Sequence, residues 1–237
     1  SLADADKWIL SKANTLCKEV TENLDKFEMG IAAQKIYDFI WEEFCDWYIE
    51  MVKPRLYGND ESSKAAAIWT LRHVLTDALK LLHPYMPFVT EEIFCTLQSE
   101  EESIMISKWP EYTEDRAFAK EESDIETIKE AVRGIRNVRT SMNVAPSRKA
   151  AVYVVSEKEE LLNVFTEGKL FFASLAYASE VNMQSTKDGI DDDAVSVVIP
   201  NATLYIPFAE LVDIKQEIER LEKEEERLKG ELARVNG

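Results

Sequence analysis

Apolar residues recur at helical spacing from the start of the chain. Ile9, Ala13, Leu16, Val20 and Phe27 mark a first stripe. In the next segment two stripes run side by side. One is Ile36, Ile40, Phe44, Trp47 and Met51; the other, one position later, is Tyr37, Trp41, Cys45, Tyr48 and Val52. Together they make an apolar arc about twice the usual width, which predicts a helix buried on most of its sides. Trp41, Trp47 and Tyr48 read as core residues first on this pattern, with exposed stacking platforms as the alternative. Lys35, Asp38, Glu42, Asp46, Glu50 and Lys53 fill the remaining face and meet water.

A third stripe, Ile68, Leu71, Leu75 and Leu82, follows Gly58-Asn59-Asp60, with Ser62 or Ser63 as its N-cap. It stops near His83, because Pro84 and Pro87 each restrict the residue before them. Thr90 then caps or opens a short fourth helix, with Glu91 and Glu92 in the first turn and Val89, Ile93 and Leu97 pointing inward. These segments predict an antiparallel helical bundle, with residues 101–119 as a connector. A further helix begins around Ser123, buries Ile125, Ile128, Val132, Ile135 and Met142, and ends before Pro146.

Period-two and β-branched runs appear only later. Ala150–Val155, residues 181–183, Val195–Ile199 and residues 204–206 read as strands, the last two as a hairpin-like pair around Pro200-Asn201. Residues 157–176 read as helical. In the tail, Leu211, Ile214, Ile218, Leu221, Leu228, Leu232 and Val235 fall on a and d of a heptad that Glu225 alone interrupts. The predicted class is mainly α. It consists of a bundle over residues 1–119, a small α+β domain over 120–208, and a C-terminal coiled-coil helix over 209–237.

Composition narrows the functions. The 237 residues carry a formal net charge of −17, which argues against coating nucleic acid by bulk electrostatics. Screening within about 8 Å still lets a local basic patch act. No run approaches a membrane span, and the first residues do not read as a signal peptide. Cys17, Cys45 and Cys95 each sit on an apolar face and read as free core thiols in a reducing compartment. His73 and His83 are isolated and read as structural, so no metal site is expected. No phosphate loop and no nucleophile with a local signature occurs, and the chain reads as non-catalytic.

A local patch does exist. Lys129, Arg133, Arg136, Arg139, Arg148 and Lys149 lie close together with Glu130 as the sole acid among them. Lys129, Arg133, Arg136, Arg148 and Lys149 are candidates to neutralise RNA phosphates, against the alternative that they pair with acidic neighbours. Arg139 drifts onto the apolar arc and is expected in a buried or half-buried ion pair.

Four segments carry a family resemblance: DKWIL (residues 6–10), FIWEEFCDWYIEMVKPRLY (39–57), LLHPYMPFVTEEIF (81–94) and IRNVRTSMNVAPSRK (135–149). With the terminal heptads, they make the chain resemble the anticodon-binding region of valyl-tRNA synthetases, class I aminoacyl-tRNA synthetases, essentially end to end. The resemblance implies a C-terminal fragment of a valine–tRNA ligase. Its catalytic domain would lie upstream, with the HIGH and KMSKS signatures that are not found here, and its editing domain elsewhere. The fragment would be inactive alone and need no cofactor, while the whole enzyme would use ATP with magnesium. It implies recognition of the anticodon side of valine tRNA in the cytoplasm, with no DNA or membrane partner. It also adds Ile49, Lys53 and Arg55 to the tRNA-contacting candidates: Ile49 for apolar contact with a base, the two cations for phosphates. Lys53 and Arg55 are equally suited to ending a helix at its negative pole. The expected state is a monomer, with weak self-association through residues 211–235. The rival reading is a structural protein that dimerises through the heptad helix.

Overall fold

The computed structural model describes residues 1–212, 225 and 227–229. They are mainly helical with one small mixed sheet, as the pattern predicts. The heptad helix lies, apart from a few positions, outside the described residues. Two compact units are present, Ser1–Thr127 and Ile128–Gly237.

The first unit is the bundle. Helix α1 (Asp4–Asp25) buries Trp8, Ile9, Ala13, Leu16, Cys17 and Val20. Phe27 leaves that stripe: it lies past the helix end at φ 59° and is 84% exposed. One long helical rod then runs over residues 29–56. It comprises α2 (Met29–Asp38), a π-helical segment (Phe39–Ile49) and α3 (Glu50–Leu56). Helix α4 (Glu61–Leu82) returns antiparallel to it. Arg55 near the rod's end bonds Ser63 near the start of α4, and Tyr85 just past α4 donates to the Met29 carbonyl at 2.7 Å. Helix α5 (Pro87–Leu97) closes over α4, where Leu79, Phe94 and Ile104 form a small core.

The π-helical segment corrects the broadest sequence expectation. Its i→i+5 bonding turns less per residue than an α-helix. Phe39 and Phe44, five apart, therefore both face inward with Trp47, Tyr48, Met51 and Val52. The stripe through Tyr48 and Val52 does not project back onto Trp41 and Tyr37, which are 58% and 60% exposed and stacked on each other at 6.5 Å. The rod is thus buried on one side rather than on most.

Two smaller registers also differ. Helix α4 buries Ala67, Thr70, Val74, Ala78, Leu79 and Leu81, while Ile68 is 43% exposed. Small residues let α1 and α4 approach, so the bulkier Ile68 is turned outward. Asp60, not a serine, caps α4, its carboxylate accepting from the Ser62 and Ser63 amides at 3.0 and 3.1 Å. In α5 the inward residues are Thr90 and Phe94, and Val89 and Ile93 are exposed. Pro87 opens that helix, and Thr90 returns its hydroxyl to the Met86 carbonyl instead of capping. Cys95 is exposed rather than core.

Helix α6 (Ala119–Ser141) starts four residues earlier than its stripe suggests. Its first turns belong to the bundle, where Glu121 pairs with Lys7 at 2.9 Å and Glu122 accepts from Ser11. The rest belongs to the second unit. There the sheet order is β2-β1-β4-β3, from β1 (Ala150–Val155), β2 (Ala178–Gln184), β3 (Val195–Ile199) and β4 (Ala202–Ile206). Strands β1 and β2 are parallel, linked by α7 (Glu159–Glu167) and α8 (Lys169–Leu175); the other pairings are antiparallel. The β3–β4 hairpin turns at Pro200-Asn201, with Asn201 at φ 64°. Val152, Val154, Phe165, Phe172, Leu204 and Ile206 form the core. Gly134 of α6 lies against β3: a Cβ there would stand 2.3 Å from Val197 Cγ1, so only glycine permits the approach. The short α9 (Phe208–Leu211) follows the sheet.

Candidate nucleic-acid interface

The rod ends where Tyr57 closes the last turn and Gly58 begins the connection to α4. A Cβ on Gly58 would meet the Pro54 carbonyl at 3.0 Å, which explains glycine in this tight turn. Ile49 is half-buried at the end of the π-helical segment. Lys53 is exposed and pairs with Glu50 one turn before it.

Arg55 is spent internally. Its Nη1 and Nη2 donate to Asp6 Oδ1 and Oδ2 at 2.7 and 2.9 Å, in a bidentate pair with a carboxylate that has no solvent exposure. Nε donates to Ser63 Oγ at 2.8 Å, and Nη2 also reaches the Ser63 carbonyl at 2.8 Å. Asp6 further accepts from the Tyr48 hydroxyl at 2.7 Å and the Ala3 amide at 2.9 Å. Burial works against charge on Arg55, but the hydrogen bonds and charge of Asp6 outweigh it and raise its pKa. This guanidinium is therefore a clamp joining α1, α3 and α4, and no fork remains for a phosphate.

In the second unit, the basic residues have sorted by exposure. Lys129 is fully buried. Arg133 is exposed on α6. Arg136 is exposed too, while its Nε donates to the Leu175 carbonyl at 2.7 Å. Arg139 is buried as expected, but its partners are carbonyls: it donates to Ala145 O at 2.9 Å and to Arg148 O, and its guanidinium lies 5.2 Å from the Tyr177 ring centre. Burial lowers its pKa. Arg148 is half-buried and ties down α9 through the Glu210 carbonyl at 2.7 Å. Lys149 is exposed and makes no hydrogen bond or ion pair among the described residues. Arg133, Arg136 and Lys149 are thus the exposed cations of the patch.

Sequence reasoning passed over two of the exposed aromatic residues. Tyr57 is 86% exposed, and Trp69, 50% exposed, stacks on His73 at 5.0 Å. Charge patterns locate cations; they give no signal for an aromatic residue outside an apolar stripe. Among the described residues no group of three or more His, Cys, Asp or Glu is arranged to hold a metal ion. No helix among them is long and apolar enough to cross a membrane.

The pattern of the family described as anticodon-binding domain of tRNA ligase matches residues 6–154, more than half of the chain. The chain belongs to this family. The match begins at Asp6, the carboxylate of the clamp, and runs into β1. Over 231 residues the chain is 51% identical to the valine--tRNA ligase of Clostridium perfringens, covering 98% of this chain and 26% of that protein. It is 50% identical over 217 residues to the valine--tRNA ligase of Clostridium tetani, and 38% identical over 217 residues to that of Bacillus cereus. Those two alignments each cover 92% of this chain and 24% of the relative. The chain spans about a quarter of the length of the curated relatives it matches.

Proposed function

We propose that this anticodon-binding domain recognises the anticodon side of valine tRNA on behalf of valine–tRNA ligation, and performs no chemistry itself. The observation that carries the reading is 51% identity, over nearly the whole chain, to a valine--tRNA ligase, within a family described as anticodon-binding. The ligation, which uses ATP with magnesium, is assigned to the parts of the longer relatives that this chain does not match. Its setting is the cytoplasm. The chain acts as a monomer and needs no cofactor of its own.

Unpaired anticodon bases are held by apolar or aromatic contacts with hydrogen bonds to their edges, and phosphates by cations. In the bundle Ile49 and Lys53 fit these roles. In the second unit Arg133, Arg136 and Lys149 fit the phosphate role. Binding energy collected here would hold the acceptor end of the tRNA in register for reaction elsewhere.

The test is filter binding of valine tRNA against a non-cognate tRNA across a salt series. The expected result is tighter binding to valine tRNA, with log affinity falling linearly against log salt at a slope of roughly −2 to −4, for a handful of neutralised phosphates. Equal affinity for both tRNAs, or a flat salt response, overturns the proposal.

A further inference from the structure

Ile49, Lys53 and Tyr57 stand four residues apart, so they form one row along the closing turns of the rod. Exposure rises along that row, from half-buried Ile49 through Lys53 to Tyr57 at 86%. The Tyr57 ring and hydroxyl have no partner among the described residues. The other tyrosine of the rod's closing turns, Tyr48, is fully buried and bonded to Asp6. An aromatic ring held in water contributes nothing to the core.

The backbone beneath this ring is nevertheless firmly fixed. Tyr57 keeps helical geometry (φ −98°, ψ −2°), its amide donates to the Lys53 carbonyl at 3.2 Å, and Gly58 donates to the Arg55 carbonyl at 3.3 Å. Two residues before the ring, Arg55 is bolted to Asp6 of α1 and to both the hydroxyl and the carbonyl of Ser63 of α4. A buried bidentate pair thus anchors the same closing turn that carries the exposed aromatic ring. Single-stranded RNA is gripped in this way, by a ring face on a rigid support beside a cation for the neighbouring phosphate.

We propose that Tyr57 is the stacking platform for one unpaired base of the bound RNA, and that the Asp6–Arg55 pair is the device that holds it still. The inference rests on the RNA-binding function proposed above and adds its base-contacting residue. Arg55 is accordingly a positioning residue, and Lys53, one turn away on the same row, meets the adjoining phosphate.

The experiment measures tRNA affinity of the whole 237-residue chain at several salt concentrations, with folding monitored by circular dichroism. Tyr57→Ala is expected to weaken binding about 10-fold without changing the salt slope, because stacking releases no counterion. Tyr57→Phe, which keeps the ring face, restores the loss. Arg55→Lys keeps the charge but loses the fork; it is expected to weaken binding several-fold at unchanged slope, with faster hydrogen exchange at the Tyr57 and Gly58 amides. If the parent chain binds tRNA and Tyr57→Ala binds equally well, the platform is overturned while the proposed function stands. If Arg55→Ala remains folded and lowers the slope by about one, Arg55 meets a phosphate directly and the clamp is overturned. If the parent chain binds no tRNA, the function falls and this inference with it.

Discussion

Asp6 and Arg55 illustrate how one residue can look different in sequence and in space. Beside Lys53 and Pro54, Arg55 reads as a surface cation at a helix end. In the fold its guanidinium faces a carboxylate sealed from water, and the two are bonded at 2.7 and 2.9 Å. Removing one partner strands the other, which costs more than the pair contributes. Arg55→Ala is therefore expected to destabilise the chain by about 3–5 kcal/mol in urea unfolding. Cys17 gives a pH-dependent counterpart. Burial pushes its thiol up to about 12, whereas an unfolded cysteine titrates near 8.5. Between those values the unfolded chain gives up a proton that the folded chain retains, so stability is full below about pH 8.5 and falls as pH rises toward 12. The fall attributable to this group is at most about 1.4 kcal/mol per pH unit. Urea unfolding at pH 8, 9 and 10 should accordingly show a shallower decline in Cys17→Ala than in the parent.

Elements were legible where one regular period ran the length of the segment, and obscure where the period changed or small residues faced the core. The strands β1 and β3 fall where β-branched runs place them, and the α1 stripe is correct up to Val20. In α4 and α5 the bulky stripe alone suggests the inner row, whereas the small residues Ala67, Thr70, Ala78 and Thr90 share it with Val74, Leu79, Leu81 and Phe94. Nothing in residue order marks where α bonding gives way to π bonding, so Trp41 and Trp47 looked alike. They are now distinguished by a measurement. Trp47→Ala, truncating a residue 6% exposed, should cost about 3–5 kcal/mol. Trp41→Ala should stay within about 0.5 kcal/mol of the parent. Equal losses would mean that α bonding continues through residues 39–49. The candidate site divided in the same way: cations were visible by type, but whether each faced water depended on tertiary neighbours. Gly134 offers a second check at this scale. Gly134→Ala drives a methyl group into Val197 across the α6–β3 contact, for an expected loss of about 1–3 kcal/mol. Adding Val197→Ala should recover part of it, giving a favourable coupling in a double-mutant cycle.

For the whole molecule, the governing fact is a formal net charge of −17 facing a polyanion. At long range the two repel, so binding must come from a few cations close enough to act inside the screening length of about 8 Å. Local and global charge effects can be separated by moving the same number of charges in two places. Arg133→Glu with Lys149→Glu reverses two exposed cations of the candidate interface, both in the second unit. Lys108→Glu with Lys169→Glu makes an equal change in net charge at two exposed lysines outside it. If tRNA responds mainly to net charge, the two variants weaken binding alike. If it responds to the patch, the first pair loses at least about 10-fold in affinity and its salt slope falls by roughly one to two, while the second pair shifts affinity only slightly and keeps the parental slope. The slope decides the matter, because it counts phosphates neutralised on contact, and a diffuse field that contacts none cannot reproduce that loss.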